Sequence, residues 1–253
     1  MQAPVIVIGI GELGAIFARG LLRLGHPVYP ITRHMDIQAA AAELPEPTLV
    51  LLAVAEKDLH TTLQQIPDAW KSRLALLQNE LLPHDWLDAG ITQPTVISVW
   101  FEKKPGQDSK VLLASPAFGP QAQLLTDALM SIGIAAQVVA TEADLLFELV
   151  RKNVYIVTTN VAGLVVGGTV SSLWNEHAAL ARAIATDVIA IQEHLTGVQF
   201  NHADLLAGML EAFNGDPLHG CMGRSAPARL QRALELSDAA DLAVPKLREI
   251  AAQ

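Results

Sequence analysis

Along the first 140 residues the hydrophobic positions fall into short apolar runs separated by stretches with helical spacing. VIVIG (5–9) ends in glycine and is followed by LGAIFARGLLRLG, whose apolar residues recur every three to four positions. PVYPIT (27–32), TLVLLAV (48–54), LALLQN (74–79), TVISVWF (95–101), KVLLAS (110–115) and AAQVVA (135–140) read as further strands. Helices are predicted over 35–44, 56–65 and about 119–132. Strands alternating with helices predict βαβ units and a mainly parallel sheet. After Thr141 the strand signal stops. Helices are predicted at 142–168, 172–195, 202–213, 226–236 and near 240–252. The expected fold is therefore α/β: a Rossmann-type doubly wound sheet over 1–141, then an all-α domain over 142–253 that holds substrate or a dimer face.

Composition narrows the class. Of 253 residues, 51% are hydrophobic and 17% charged, so the chain buries real cores and is not disordered. A net charge of −9 argues against a general nucleic-acid or anionic-membrane surface, because both need clustered Lys and Arg. A small anionic ligand in one basic pocket stays open. The single cysteine, Cys221, has no internal disulfide partner and fits a reducing cytoplasm. No Cys/His spacing suggests a metal site. The apolar N-terminus lacks a basic n-region and carries Glu12, so it does not read as a signal peptide. The uncharged run 153–175 is long enough for a bilayer. Its Asn160, paired threonines, Gly167-Gly168 and Ser171-Ser172 make it a buried helix of a soluble protein instead.

Gly9-Ile10-Gly11-Glu12-Leu13-Gly14 follows the first strand and opens a helix. In that setting Gly9 permits the tight turn, Gly11 lets a pyrophosphate approach the backbone, and Gly14 lets helix and strand pack closely. The helix N-terminus then presents free N–H groups to the phosphates. A dinucleotide is the expected cofactor. An NAD site places Asp or Glu at the end of the second strand, whereas this chain has Thr32-Arg33-His34 and no carboxylate until Asp36. A guanidinium grips a 2′-phosphate, so Arg33 favours NADP(H).

With these residues in view, the chain resembles the ketopantoate reductase family, NADPH-dependent enzymes that reduce 2-dehydropantoate to pantoate on the route to coenzyme A. The resemblance rests on GIGELG (9–14), Arg33, the QN of LLQNELL (77–83), ASPAFGPQAQ (114–123), FELVRKNVYIVTTN (147–160) and AADLAVPKL (239–247). It implies Lys152 as the general acid at the ketone oxygen, Asn160 as a substrate ligand, and Asn79 beside the nicotinamide ribose and substrate. The departures are specific. Ile156 stands where a second asparagine is expected, Glu80 replaces a glycine, and Glu56 takes the place of a lysine, or displaces it to Lys57. Ser225 stands where the family carries a substrate-binding carboxylate, with Asp238 too close to the tail to replace it.

The chemistry accounts for these residue types. Hydride transfer to a 2-oxo acid builds negative charge on the carbonyl oxygen, which an ammonium stabilises and protonates. Partial burial lowers a lysine's pKa and makes it a better acid. On one helix Asn160 lies about 80° round from Lys152 and about 12 Å further along. Thr159 and Gly163 are nearer the lysine's own face, and Gly163 leaves room there for a ligand or a neighbouring helix. The competing reading of Lys152 is a snorkelling side chain at a helix end, with Arg151 beside it. Asn160 as a bond to a neighbouring helix and Asn79 as a turn cap stay open. His219 and Cys221 in PLHGCMGR show no evident orienting acid and read as loop residues, and the four tryptophans read as packing. Arg224 and Arg229 are candidates for a substrate acid group. Two functions follow: an NADPH-dependent reductase of a small 2-oxo acid, or a non-catalytic NADP(H)-binding protein. A related dehydrogenase of another substrate, such as an opine-type enzyme, shares the architecture.

Overall fold

The apolar runs at 5–8 and 49–52 are buried at every position, which a strand tolerates only in a sheet covered on both faces. In the computed structural model, which describes residues 2–253, they are two adjacent inner strands of the first unit's sheet. The elements run β1 (Val5–Ile8), α1 (Glu12–Arg23), β2 (Val28–Ile31), α2 (Ile37–Glu43), β3 (Leu49–Leu52), α3 (Leu59–Leu63), α4 (Asp68–Lys71), β4 (Leu74–Leu76), α5 (Pro83–Leu87), β5 (Thr95–Ile97), β6 (Phe101–Glu102), β7 (Lys110–Val111), β8 (Ser115–Phe118), α6 (Ala122–Ser131) and β9 (Ala136–Val138). The helices α7 (Glu142–Val166), α8 (Val170–Thr196), α9 (His202–Gly215), α10 (Ala226–Ala239) and α11 (Pro245–Ala251) follow. The chain divides into two compact units between Glu148 and Leu149, inside α7.

The sheet order is β2-β1-β3-β4-β5-β8-β9. β1 to β5 are parallel, β8 runs antiparallel to β5, and β9 is parallel to β8. Strand order reverses between β1 and β3, and it is there, at the C-terminal ends, that such sheets bind ligands. Alternate residues Val5, Val7, Leu49, Leu51 and Ala75 share one core with Phe17 and Leu21 of α1 and Leu125 and Leu129 of α6. α1 and α6 approach so closely that a Cβ on Gly20 would sit 2.2 Å from the Ala128 carbonyl oxygen.

Three elements differ from the expected pattern. The strand expected at 110–115 is not in the sheet: Lys110–Val111 pairs with β6 in a separate hairpin, and the sheet strand is Ser115–Phe118. Its Pro116 lacks an N–H and weakens the strand signal, yet its carbonyl still accepts from the Ser98 N–H at 2.9 Å. α7 stops at Val166, not 168, because Gly167 and Gly168 both take left-handed backbone (φ 60° and 73°) to turn the chain. The last helix starts at Pro245, not near 240, after Asp241 takes φ 51°.

In the second unit polar pairs join the helices. Asn153 Nδ2 donates to Gln192 Oε1 at 2.8 Å, linking α7 to α8. Arg151 reaches Glu211 at 2.8 Å by lying across Gly208 of α9. Val244 offers no side-chain cap to α11, and Asp187 of α8 caps it instead, accepting from the N–H groups of Lys246 and Leu247 at 2.7 and 3.0 Å. Among the described residues, no helix is long and apolar enough to cross a membrane. Asp187→Ala leaves those buried donors without their acceptor, and urea unfolding should show a loss of about 1–3 kcal/mol. A midpoint equal to the wild type would mean that α11 is held by its apolar contacts alone.

Candidate functional site

At the end of β1 each glycine meets a different constraint. A Cβ on Gly9 (φ 93°) would lie 2.7 Å from the Ala53 carbonyl oxygen, and one on Gly14 would lie 2.0 Å from the Gly9 carbonyl oxygen. A Cβ on Gly11 meets nothing within 4 Å. Gly9 and Gly14 are thus required by the fold, whereas Gly11 keeps open the space in front of the α1 N-terminus. Gly11 is the N-cap of α1 and offers no side-chain cap, so the first-turn N–H groups face outward. Glu12 opens the helix, Ile10 is exposed, and Leu13 packs against the core. This cradle fits a pyrophosphate.

The neighbouring strand ends complete the edge. Arg33 lies exposed in the turn after β2. Asp36, the nearest carboxylate, is spent on capping α2, accepting from the N–H groups of Gln38 and Ala39 at 2.8 and 3.3 Å. After β4, buried Gln78 donates to the Leu52 carbonyl at 2.7 Å and so ties β4 to β3. Asn79 Nδ2 donates to Glu56 Oε1 at 2.7 Å, joining two of the positions singled out from the sequence. Glu80 holds the left-handed backbone (φ 59°) that a glycine would adopt without cost.

In the second unit Lys152 is only 6% exposed, so it is not a snorkelling side chain with its head in water. Asn160, also buried, accepts from Arg229 NH1 through Oδ1 at 2.8 Å and donates to the Cys221 carbonyl at 3.4 Å. Arg229 of α10 and Asn160 of α7 therefore meet directly, which their separate positions in the chain did not reveal. Thr159 turns its hydroxyl back to the carbonyls of Tyr155 and Ile156. The space at Gly163 is taken by neither a ligand nor a helix: Cys221 and Met222 of the following loop pack against it, with Met222 N 2.8 Å from where a Cβ would stand. Ser225 is exposed at the start of α10.

His219, expected to lack an orienting acid, has one. Buried Asp216 places Oδ2 3.4 Å from His219 Nδ1, a pairing signalled by the D-x-x-H spacing of DPLH. The His219 ring lies 6.4 Å from that of Tyr155, whose other neighbour is Phe213 at 5.8 Å. Cys221 is fully buried, and burial pushes its thiol from 9.0 up to about 11, so it is no nucleophile at neutral pH.

No protein-family model matches the chain, and no curated protein sequence does. Solved structures do. A ketopantoate reductase from Ralstonia eutropha JMP134 has 16% identity, with 98% of this chain and 96% of that one covered and a TM-score of 0.69. The 2-dehydropantoate 2-reductase from Methylococcus capsulatus has 15% identity, 98% and 94% coverage and a TM-score of 0.70. A D-mandelate dehydrogenase solved with NADH has 16% identity, 98% and 96% coverage and a TM-score of 0.68. The chain has the fold of these oxidoreductases along nearly its whole length.

Two outcomes follow from this geometry. Gly11→Ala, which loses only glycine's preference over alanine at an N-cap, should lower the melting temperature by a few degrees at most while weakening dinucleotide binding, whereas Gly14→Ala should lower it sharply. Equal melting of all three proteins would show that the turn is looser than drawn. Cys221 should react slowly with a thiol reagent at pH 8 in the folded protein and rapidly in urea. Because folding raises this thiol's pKa, its contribution to stability is present below about pH 9 and is lost as pH rises towards about 11. Fast labelling of the native protein would overturn the assignment.

Proposed function

We propose that the protein is a cytosolic NADP(H)-dependent reductase of a small 2-oxo acid, with ketopantoate the first substrate to test. The observation that carries this reading is Lys152, an ammonium buried in the middle of α7 in a fold that otherwise matches ketopantoate reductases. An ammonium is buried only where something pairs with it or uses it, and the resemblance of its helix to the family's catalytic helix points to a use. The Gly9–Gly14 backbone with its open position at Gly11 would hold the pyrophosphate. Arg33, with Asp36 committed to capping α2, supports the 2′-phosphate form of the cofactor over NAD(H). A bound nicotinamide supplies the hydride. Lys152 stabilises the developing oxyanion and delivers the proton to it. Asn160, oriented by Arg229, fixes the substrate through its amide, and Asn79 is held by Glu56 at the nicotinamide side.

A second reading, an NADP(H)-binding protein without turnover, has its own observation. Both candidate substrate asparagines already have protein partners, and Ser225 and Ile156 stand where the family pattern has polar substrate ligands. NADPH oxidation on adding ketopantoate separates the two. Lys152→Ala should lower turnover by about 10²–10⁴-fold and leave NADPH affinity unchanged. Absence of turnover in the wild type with ketopantoate and a panel of other 2-oxo acids, with NADPH still bound, would favour the second reading. Arg33→Ala should raise the NADPH Kd by about ten- to a hundredfold and leave NADH untouched. Equal losses for both cofactors would remove Arg33 from the 2′-phosphate site.

A further inference from the structure

We infer that Lys103 is a pyrophosphate-binding residue of the cofactor site, and that Glu12 competes with the dinucleotide for its ammonium. This rests on the cofactor reading above and deepens it. Phe101 of β6 packs against Phe17 of α1 with ring centroids 6.4 Å apart, which fixes the β6–β7 hairpin onto α1. Two residues further on, Lys103 Nζ lies 3.6 Å from Glu12 Oε2, at the first residue of α1 and beside Gly11. The lysine is the anchored member of the pair. It donates to the carbonyls of Lys104 (3.1 Å) and Gln107, and its side chain is 22% exposed against 44% for Glu12. Lys104 points elsewhere, to Glu102 at 3.0 Å, so Lys103 is the hairpin's cation at α1.

The charges explain the pairing. A carboxylate in the first helical turn favours the helix dipole, but at this turn it stands where the pyrophosphate approaches the N–H groups. Two anions cannot share that end of α1 without a cation between them. An ammonium held by two backbone carbonyls stays at the turn whichever anion occupies it, and Glu12, at the surface, is free to rotate away. Lys103 acts as a point charge on the phosphates, with no group transferred.

The test is the NADPH Kd of the full chain by calorimetry, with adenosine 2′-monophosphate as a probe that lacks the pyrophosphate. Lys103→Met should raise the NADPH Kd by about tenfold or more, flatten its salt dependence, and leave the 2′-monophosphate affinity and the melting temperature of the ligand-free protein as in the wild type. Glu12→Gln should tighten NADPH binding several-fold. Wild-type NADPH affinity in Lys103→Met, or equal losses for both ligands, would overturn the role of Lys103 while leaving the cofactor reading intact. A wild-type protein that binds no NADPH would overturn that reading, and this inference with it.

Discussion

The C-terminal edge of the first unit's sheet depends on how closely α1 can start against β1 and β3. Gly14 has only a hydrogen's width between it and the Gly9 carbonyl, and Gly9 has as little against Ala53. With both side chains absent, the Gly9 N–H reaches the Ile31 carbonyl at 2.9 Å and the Ala53 N–H reaches that of Ile8 at 2.8 Å. The ends of β1, β2 and β3 are thereby locked in step. That alignment is what brings residues 33, 56 and 79, each following a different parallel strand, to one edge of the sheet. Gly11 stands apart: a Cβ there would meet nothing within 4 Å, so nothing in the protein requires it to be small.

How far the sequence revealed this follows from the range of each interaction. The glycine turn, the alternation of strands and helices, and the all-helical second half were legible because sterics and periodicity act over a few residues. The β8 strand was misplaced because Pro116 masks a strand whose pairing is decided by β5 and β9. Gly163 reads as room for a ligand or a neighbouring helix, and only the fold shows that residues 221–222 fill it. The tie between Asn160 and Arg229, and that between Glu12 and Lys103, join residues far apart in the chain and left no local signal. Asp216 and His219 are the exception, three residues apart and visible in DPLH to a reader looking for an acid at that spacing.

α7 is tied to its neighbours on both sides of Lys152. Arg151 and Asn153 flank Lys152 and are both committed to neighbouring helices, through Glu211 and Gln192. Further along, Gly163 admits the loop that carries Cys221, whose carbonyl in turn receives Asn160. Arg151, Asn153, Thr159 and Asn160 of this buried helix are thus bonded to protein partners, while the buried Thr158 hydroxyl has no hydrogen-bond partner among the described residues. A helix clamped at those points holds whatever it presents with little freedom. Such rigidity is what an acid needs if its proton is to meet a developing charge at fixed distance.

The charge distribution at the sheet edge sets what binding can depend on. Glu12, Glu56 and Glu80 all lie near the ends of the parallel strands. Glu56 is engaged by Asn79 and Glu12 by Lys103, which blunts their effect on an anionic ligand without making the edge basic. A dinucleotide bound as proposed would therefore gain little from a general positive field here and would depend on discrete donors, namely the α1 N–H groups and individual cations. On such an edge an additional 2′-phosphate is favoured only where a guanidinium meets it. In the proposed cofactor site, discrimination between the two nicotinamide cofactors would then rest on Arg33 almost alone, because the surrounding acids penalise the extra charge everywhere else.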